Sequence, residues 1–302
     1  MQAVSRRSVL CGALSVTAGL GLPRALLSQP TGASLLSEDI APGFTLLRDA
    51  ANGLVFSTDD GPILIDAPGP HFDGAADLYE GAHILFNTNW RAEHTAANDS
   101  LGASGTRIVA HENTRLWMTN DFSVRWENQR YTPRAAHALP NDTFYTDGSL
   151  EVAGELVQYG HLPRAHTDGD IWVFFRRANI LVVSDLLAVD SFPIIDYSTG
   201  GWIGGFRAAT RHLLELANDA TVIVPALGQP QRRRALEAQL ELCEATYEIV
   251  GQAYVNARSL DELIASRPLE TWESERGDPS QFIGLAYRSA WAYLRAMGLG
   301  VV

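Results

Sequence analysis

Asn87-Thr88-Asn89-Trp90-Arg91-Ala92-Glu93-His94-Thr95-Ala96-Ala97-Asn98 is the stretch on which the reading of this chain turns. The apolar, strand-like run at 83–86 delivers the backbone into it. It has the frame of a metal-binding loop. Glu93 and His94 are residue types that hold cations, but Asn89 and Arg91 stand where such a loop wants imidazoles. An arginine does not give up its proton to bind a metal. These residues therefore separate a working metalloenzyme from a relative that has lost its metal.

Working outward, short apolar runs recur at 44–47, 54–57, 63–65, 83–86 and 107–110, then at 143–145, 155–159, 171–175, 180–184 and 221–224. Gly, Asp and Pro punctuate them, as in Asp59-Asp60-Gly61-Pro62, and mark them as strands. Helical spacing appears near 73–79, 113–118 and 205–217. The C-terminal third is helical. It opens with the stripe Leu236, Leu240, Cys243, Tyr247, Val250. A capping-box start follows at Ser259-Leu260-Asp261-Glu262, and Asp278-Pro279 begins a last helix that should stop near Gly298. Interleaved strands and helices followed by a helical tail predict a layered α/β or α+β domain. Residues 121–137, rich in Arg, Asn and Trp, read as an inserted surface loop.

Several polar residues share one placement, just beyond a strand or on the loop entering the next. Glu93 and His94 follow 83–86. His166 precedes 171–175, Asp185 directly follows 180–184, and Pro225-Ala226-Leu227-Gly228 follows 221–224. Ligands of open α/β sheets bind at strand ends, so these loops are expected to converge.

These motifs resemble the metallo-β-lactamase fold superfamily, and its exported bacterial hydrolase-like members in particular. The family loop Thr-His-x-His-x-Asp-His-x-Gly-Gly-Asn aligns with Thr88 to Asn98. The later His-Thr-x-Gly-Asp is matched in full by His166-Thr167-Asp168-Gly169-Asp170, Gly-Asp-Leu by Ser184-Asp185-Leu186, and Pro-Gly-His-Gly by Pro225-Ala226-Leu227-Gly228. The resemblance implies a four-layer αββα sandwich over residues 34–230, with residues 231–302 a helical extension packed on the same domain. It also implies two metal sites. This chain offers Asn89, Arg91 and His166 at the first, and Glu93, His94 and Leu227 at the second, with Asp185 as the bridging acid.

A dinuclear zinc centre is therefore not expected. The cofactor expectation is none, or a single divalent metal, zinc or iron, held among Glu93, His94, His166 and Asp185. Zinc catalysis needs three protein ligands and a water, which Glu93, His94 and Asp185 would meet, but the fixed charge of Arg91 opposes a cation there. With no metal, Arg91 is expected to balance the buried acids Glu93 and Asp185. The favoured reading is a non-catalytic or strongly altered hydrolase-like protein, a pseudoenzyme that binds a small ligand or a partner. The alternative is a mononuclear metallohydrolase acting on an ester, lactone, thioester or amide. A third is metal-free acid–base chemistry by His94 or His166 with Arg91 as oxyanion partner. On any catalytic reading, Arg91, His94 and Asp185 carry the chemistry. Asp170 is expected to brace its loop, His161 to be a spare ligand, and His111 to mark a strand-to-helix junction. Asp196 and Gly200-Gly201 belong to a loop resembling the family's substrate side. His71, His83, His137 and His212 fit no pattern.

The net charge is −12, and all 23 basic residues are arginines. So acidic a chain is a poor nucleic-acid binder. Residues 1–33 hold Arg6, Arg7 and Arg24, no acid, and an apolar run from Val9 to Leu22. Ser5-Arg6-Arg7-Ser8-Val9-Leu10 resembles a twin-arginine export signal, which predicts a periplasmic protein with no membrane association after signal removal. Within residues 34–302 Cys243 is the single thiol; its place on an apolar stripe makes it a core residue.

Overall fold

Gly43, at φ +78°, turns the chain between β1 (Leu36–Ala41) and β2 (Phe44–Arg48), a conformation open to a residue without Cβ. The antiparallel path continues through β3 (Asn52–Phe56) and β4 (Ile63–Ile65). After α1 (Ala75–Tyr79), β5 (Ile84–Phe86) adds in parallel. After α2 (Asn98–Ala103), β6 (Arg107–His111) does the same. Helix α3 (Glu112–Thr119) and a ribbon of β7 (Phe122–Val124) and β8 (Gln129–Tyr131) precede β9 (Asp142–Phe144), which closes a seven-stranded sheet in the order β1-β2-β3-β4-β5-β6-β9. The structure, a computed structural model, describes residues 36–67 and 75–296. The segment expected to be an export signal, His71 and the expected helix stop near Gly298 lie outside them.

A second sheet runs antiparallel through β10 (Asp147–Val152), β11 (Glu155–His161), β12 (Ile171–Phe175) and β13 (Ile180–Ser184). Helix α4 (Ile203–Leu216) crosses over to β14 (Val222–Pro225), which is parallel to β13. The tail is α5 (Arg233–Val255), α6 (Leu260–Ala265), α7 (Glu270–Arg276) and α8 (Ser280–Ala296). The capping box at Ser259 and Glu262 forms as its spacing predicts.

The apolar runs have no polar face because each sheet is covered on both sides. Strand side chains alternate in direction, so every run feeds two cores. In β12, Ile171, Val173 and Phe175 enter the core between the sheets, while Trp172 and Phe174 face the helices. In β4, Ile63 and Ile65 face the other sheet, while Leu64 packs with Tyr79, Ala97 and Leu101 beneath α1 and α2. Phe44, Phe56 and Phe175 join the sheets, with ring centroids 4.5 to 5.5 Å apart. Helices α4, α5, α6 and α8 cover the outer face of the second sheet through Phe206, Leu213, Leu236, Val250, Leu263 and Phe282. The result is helix, sheet, sheet, helix. Cys243 is fully buried in this outer core.

Residues 121–137 do lie at the surface, as expected, but they carry the β7–β8 ribbon and are not simply a loop. Val124 is wholly buried, and Phe122, Trp126 and Tyr131 pack on Trp90 and Met118. The alternation Phe122-x-Val124-x-Trp126 is a strand signal that the polar composition around it conceals.

Candidate functional site

Three strands deliver acids or amides to one place through their C-terminal ends. Strand β4 ends at Ile65 and is followed by Asp66, at φ +48°. Strand β5 ends at Phe86 and opens the loop from Asn87. Strand β13 ends in Ser184, at φ +50°, followed by Asp185. Left-handed backbone at two residues other than glycine marks where the chain turns sharply to bring its side chains inward. The loop after β5 is held by a reciprocal amide pair, Asn87 with Asn98, at 3.0 and 2.8 Å, and Asn98 also donates to the Ala138 carbonyl at 2.9 Å.

His94 sits at the centre, with no solvent exposure. Its Nδ1 lies 2.9 Å from Asp66 Oδ2 and its Nε2 lies 2.8 Å from Asp185 Oδ2. Burial alone would lower the imidazole pKa, but the two carboxylates outweigh it and hold it well above the ordinary histidine value. Both nitrogens of His94 face carboxylate oxygens, an arrangement that favours the protonated ring. Asp66 accepts further bonds from the Thr88 N–H at 2.8 Å, the Thr88 hydroxyl at 2.6 Å and Ser184 Oγ at 3.3 Å.

Asp185 is the more open acid, with a quarter of its side chain exposed. Its Oδ2 also accepts from Asn89 Nδ2 at 2.9 Å. Burial would raise its pKa. His94, His166 and Arg91 together drive it below the usual carboxylate range. His166 donates from Nδ1 to the Ile194 carbonyl at 2.9 Å. Its Nε2 is 3.6 Å from Asp185 Oδ2 and is buried without a hydrogen-bond partner.

Arg91 turns away from this pair. Its Nε donates to Glu93 at 2.9 Å and its Nη2 bonds Glu127, while Nη1 lies 3.8 Å from Asp196. Trp90 and Trp126 flank the guanidinium, with ring centroids 5.4 and 5.6 Å from its carbon. The paired acids raise the arginine's pKa further against the opposing effect of burial, and Arg91 lowers that of Glu93, again against burial. Asn89 ties the two halves of the site together, because its Oδ1 accepts the Arg91 N–H at 2.9 Å. The expected pairing of Arg91 with both Glu93 and Asp185 is therefore half right. Glu93 is a direct partner. Asp185 is neutralised by His94, since the loop geometry points Arg91 toward β7 and β8.

The remaining positions divide. His166 joins the site and Asp170 braces it, accepting the Thr167 N–H and hydroxyl at 2.7 and 2.8 Å; burial pushes Asp170 up to about 7. Asp196 is fully buried and fixes the loop above Arg91 by accepting from Trp126 Nε1 at 2.9 Å. A side chain on Gly201 would meet the His166 carbonyl at 2.2 Å, so this loop presses directly on the site. His161 is not close to the acids. It stacks on His111 at 3.6 Å, and each ring donates to a backbone carbonyl. Leu227, at a position where the resemblance implies an imidazole, is 59% exposed. Asp66, Ser184, Trp126 and Glu127 were missed by the sequence reading. For Asp66 the signal existed: an acid directly after an apolar strand, the same pattern that singled out Asp185. Among the described residues, no group of three or more His, Cys, Asp or Glu side chains is arranged to hold a metal ion.

The model of the Metallo-beta-lactamase superfamily matches residues 94–229. Solved structures similar to this chain include a metallo-beta-lactamase from Pontibacter korlensis, 18% identical with a TM-score of 0.57, covering 70% of this chain and 99% of that one. The DIM-1 metallo-beta-lactamase is 16% identical with a TM-score of 0.56, covering 70% and 98%. A metallo-beta-lactamase from Hirschia baltica is 15% identical with a TM-score of 0.55, again covering 70% and 98%. No curated protein sequence matches. At these identities the likeness establishes the fold, and the fold is that of the metallo-β-lactamases.

Proposed function

We propose, from the premise that the chain has the metallo-β-lactamase fold, that its strand-end site is a metal-poor, charge-compensated pocket. It binds a small polar ligand or a partner and does not hydrolyse substrates with a metal pair. The carrying observation is that His94 commits both ring nitrogens to Asp66 and Asp185. A metal at Nε2 would have to displace both its proton and its bond to Asp185, a cost that the paired acids increase. The other positions agree. Asn89 and Arg91 supply only donors toward the acids, Glu93 is bound to the guanidinium, and Leu227 has no donor atom. The residues present do not fit a dinuclear centre. The periplasm is the proposed compartment, on the strength of the paired arginines Arg6 and Arg7 before an apolar run.

One observation favours a second reading. His94 Nε2 and His166 Nε2 lie 2.8 and 3.6 Å from the same oxygen of Asp185, so a rearranged site could present both to one divalent ion. Elemental analysis of exported, folded protein separates the two. The first reading expects less than one tenth of an equivalent of any transition metal, on the order of adventitious loading, and a melting temperature unmoved by chelator. One equivalent of zinc or iron lost to chelator, with a fall in melting temperature, would establish the second.

A further inference from the structure

The first turn of α5 carries charges that helix stability does not explain. The helix enters through Arg232 at the N-cap and begins Arg233-Arg234, with no acid in its first turn and no side-chain cap. A helix N-terminus is the positive end of the backbone dipole and has N–H groups without intrahelical partners, so it favours acids and repels cations. Arg233 has a structural reason to be there: it pairs with Glu237 at 3.1 Å and bonds the carbonyls of Leu214 and Ala217 at the end of α4. The other two do not. Arg232 reaches only the neutral Ala220 carbonyl, at 2.6 Å. Arg234 is exposed and has no hydrogen bond or ion pair among the described residues.

A third guanidinium meets them. Arg276, at the end of α7, donates from Nη1 to the carbonyls of Ala188 and Ser191 at 3.0 and 2.8 Å. Its Nε is buried without a partner, and burial lowers its pKa. Arg232, Arg234 and Arg276 line one recess of about 420 Å³, together with Gln231 and Val189, and no carboxylate lines it. Such convergence is unexpected in a chain of net charge −12.

We propose that this recess is a binding site for a phosphoryl dianion, either inorganic phosphate or a small phosphate ester. The dianion is held by Arg232, Arg234 and Arg276 beside the first-turn N–H groups of α5. Guanidinium forks match phosphate oxygens, and a helix N-terminus adds favourable field. The volume exceeds that of phosphate alone and lies within the range of small-molecule pockets, so an organic substituent fits. The site uses none of the strand-end residues and stands apart from the function proposed for them.

The test is titration of the full exported chain with inorganic phosphate, against sodium chloride of equal ionic strength, read by calorimetry and thermal melting. Phosphate is expected to bind one-to-one and to raise the melting temperature where chloride does not. Arg234→Gln should weaken binding at least about tenfold, a difference of roughly 1.4 kcal/mol. Without phosphate it should melt no lower than the native chain, because it removes a cation from the positive end of a helix. Arg232→Gln/Arg234→Gln should abolish the phosphate response. Arg276→Gln is avoided because it also releases the backbone at Ala188 and Ser191. Equal responses to phosphate and chloride, or unchanged affinity in Arg234→Gln, would overturn the proposal. So would pelleting with phosphatidylglycerol vesicles by a protein that ignores soluble phosphate, which would assign the arginines to a membrane surface instead.

Discussion

Asp66 and Asp185 occupy corresponding places in the two sheets. Each follows an apolar strand, each lies at or next to a left-handed backbone turn, and each contacts one nitrogen of His94. Their surroundings differ. Asp66 is 2% exposed and accepts from Thr88, His94 and Ser184 on both carboxylate oxygens. Asp185 directs one oxygen to His94 and Asn89 and keeps a quarter of its side chain in contact with solvent. One acid is sealed into the framework and the other is presented. Similar placements after a strand thus give one sealed acid and one presented acid, and the difference lies in the loops packed over each.

Removing the sealed acid should have the largest effect. Asp66→Ala leaves His94 Nδ1 and two Thr88 donors without their acid in the interior, and should cost about 3–5 kcal/mol in urea unfolding. A loss below about 1 kcal/mol would show that Asp66 is not the anchor of the site. Next comes Arg91→Ala, which strands Glu93, Glu127 and Asp196 around an empty position; about 3 kcal/mol of destabilisation is expected. A gain in stability without bound metal would mean these acids need no counter-charge. Asp185→Asn keeps an acceptor and a partly solvated group, so a loss of about 1–2 kcal/mol is expected, smaller than for Asp66→Ala. Reversal of that order would break the distinction between the two acids.

The pH dependence sharpens the same contrast. The His94 pKa is raised on folding, so its contribution is complete below the unfolded value of about 6.5 and is lost as pH rises through the higher folded value. The Asp185 pKa is lowered, so its contribution is present above about 3.9 and is lost as pH falls through its folded value. The site should therefore be most stabilising between roughly pH 4 and 6.5. Unfolding free energies measured from pH 5 to 9 should decline for the native chain and decline less for His94→Gln. Parallel curves would remove His94 from the charge balance.

Much of this was legible beforehand. The strands at 44–47, 63–65, 83–86, 107–110, 171–175 and 180–184 appear where their apolar runs predicted them, because strands covered on both faces must be continuously apolar. The strand-end placement of His94, His166 and Asp185 followed from the same runs. Strand β1, exposed along much of its length, and β10, with alternate residues exposed, escaped notice, since a half-solvated strand carries a weak apolar signal. Asp66 was readable and was passed over because no neighbouring motif drew attention to it. Glu127 and Trp126 were hidden by the polar composition of 121–137, and their approach to Arg91 is a long-range contact that no local pattern encodes.

The sequence by itself determined where the apolar strands run and which acids and imidazoles stand at their ends, and it put Asn89, Arg91 and Leu227 where the resemblance implies imidazoles. Residue identity settles what each side chain can donate or accept. Only the tertiary structure decided the pairing: Arg91 with Glu93 and Glu127, and His94 with Asp66 and Asp185. The reason is that charges from separate strands choose partners by distance and desolvation once the sheets close, and neither quantity exists in the unfolded chain.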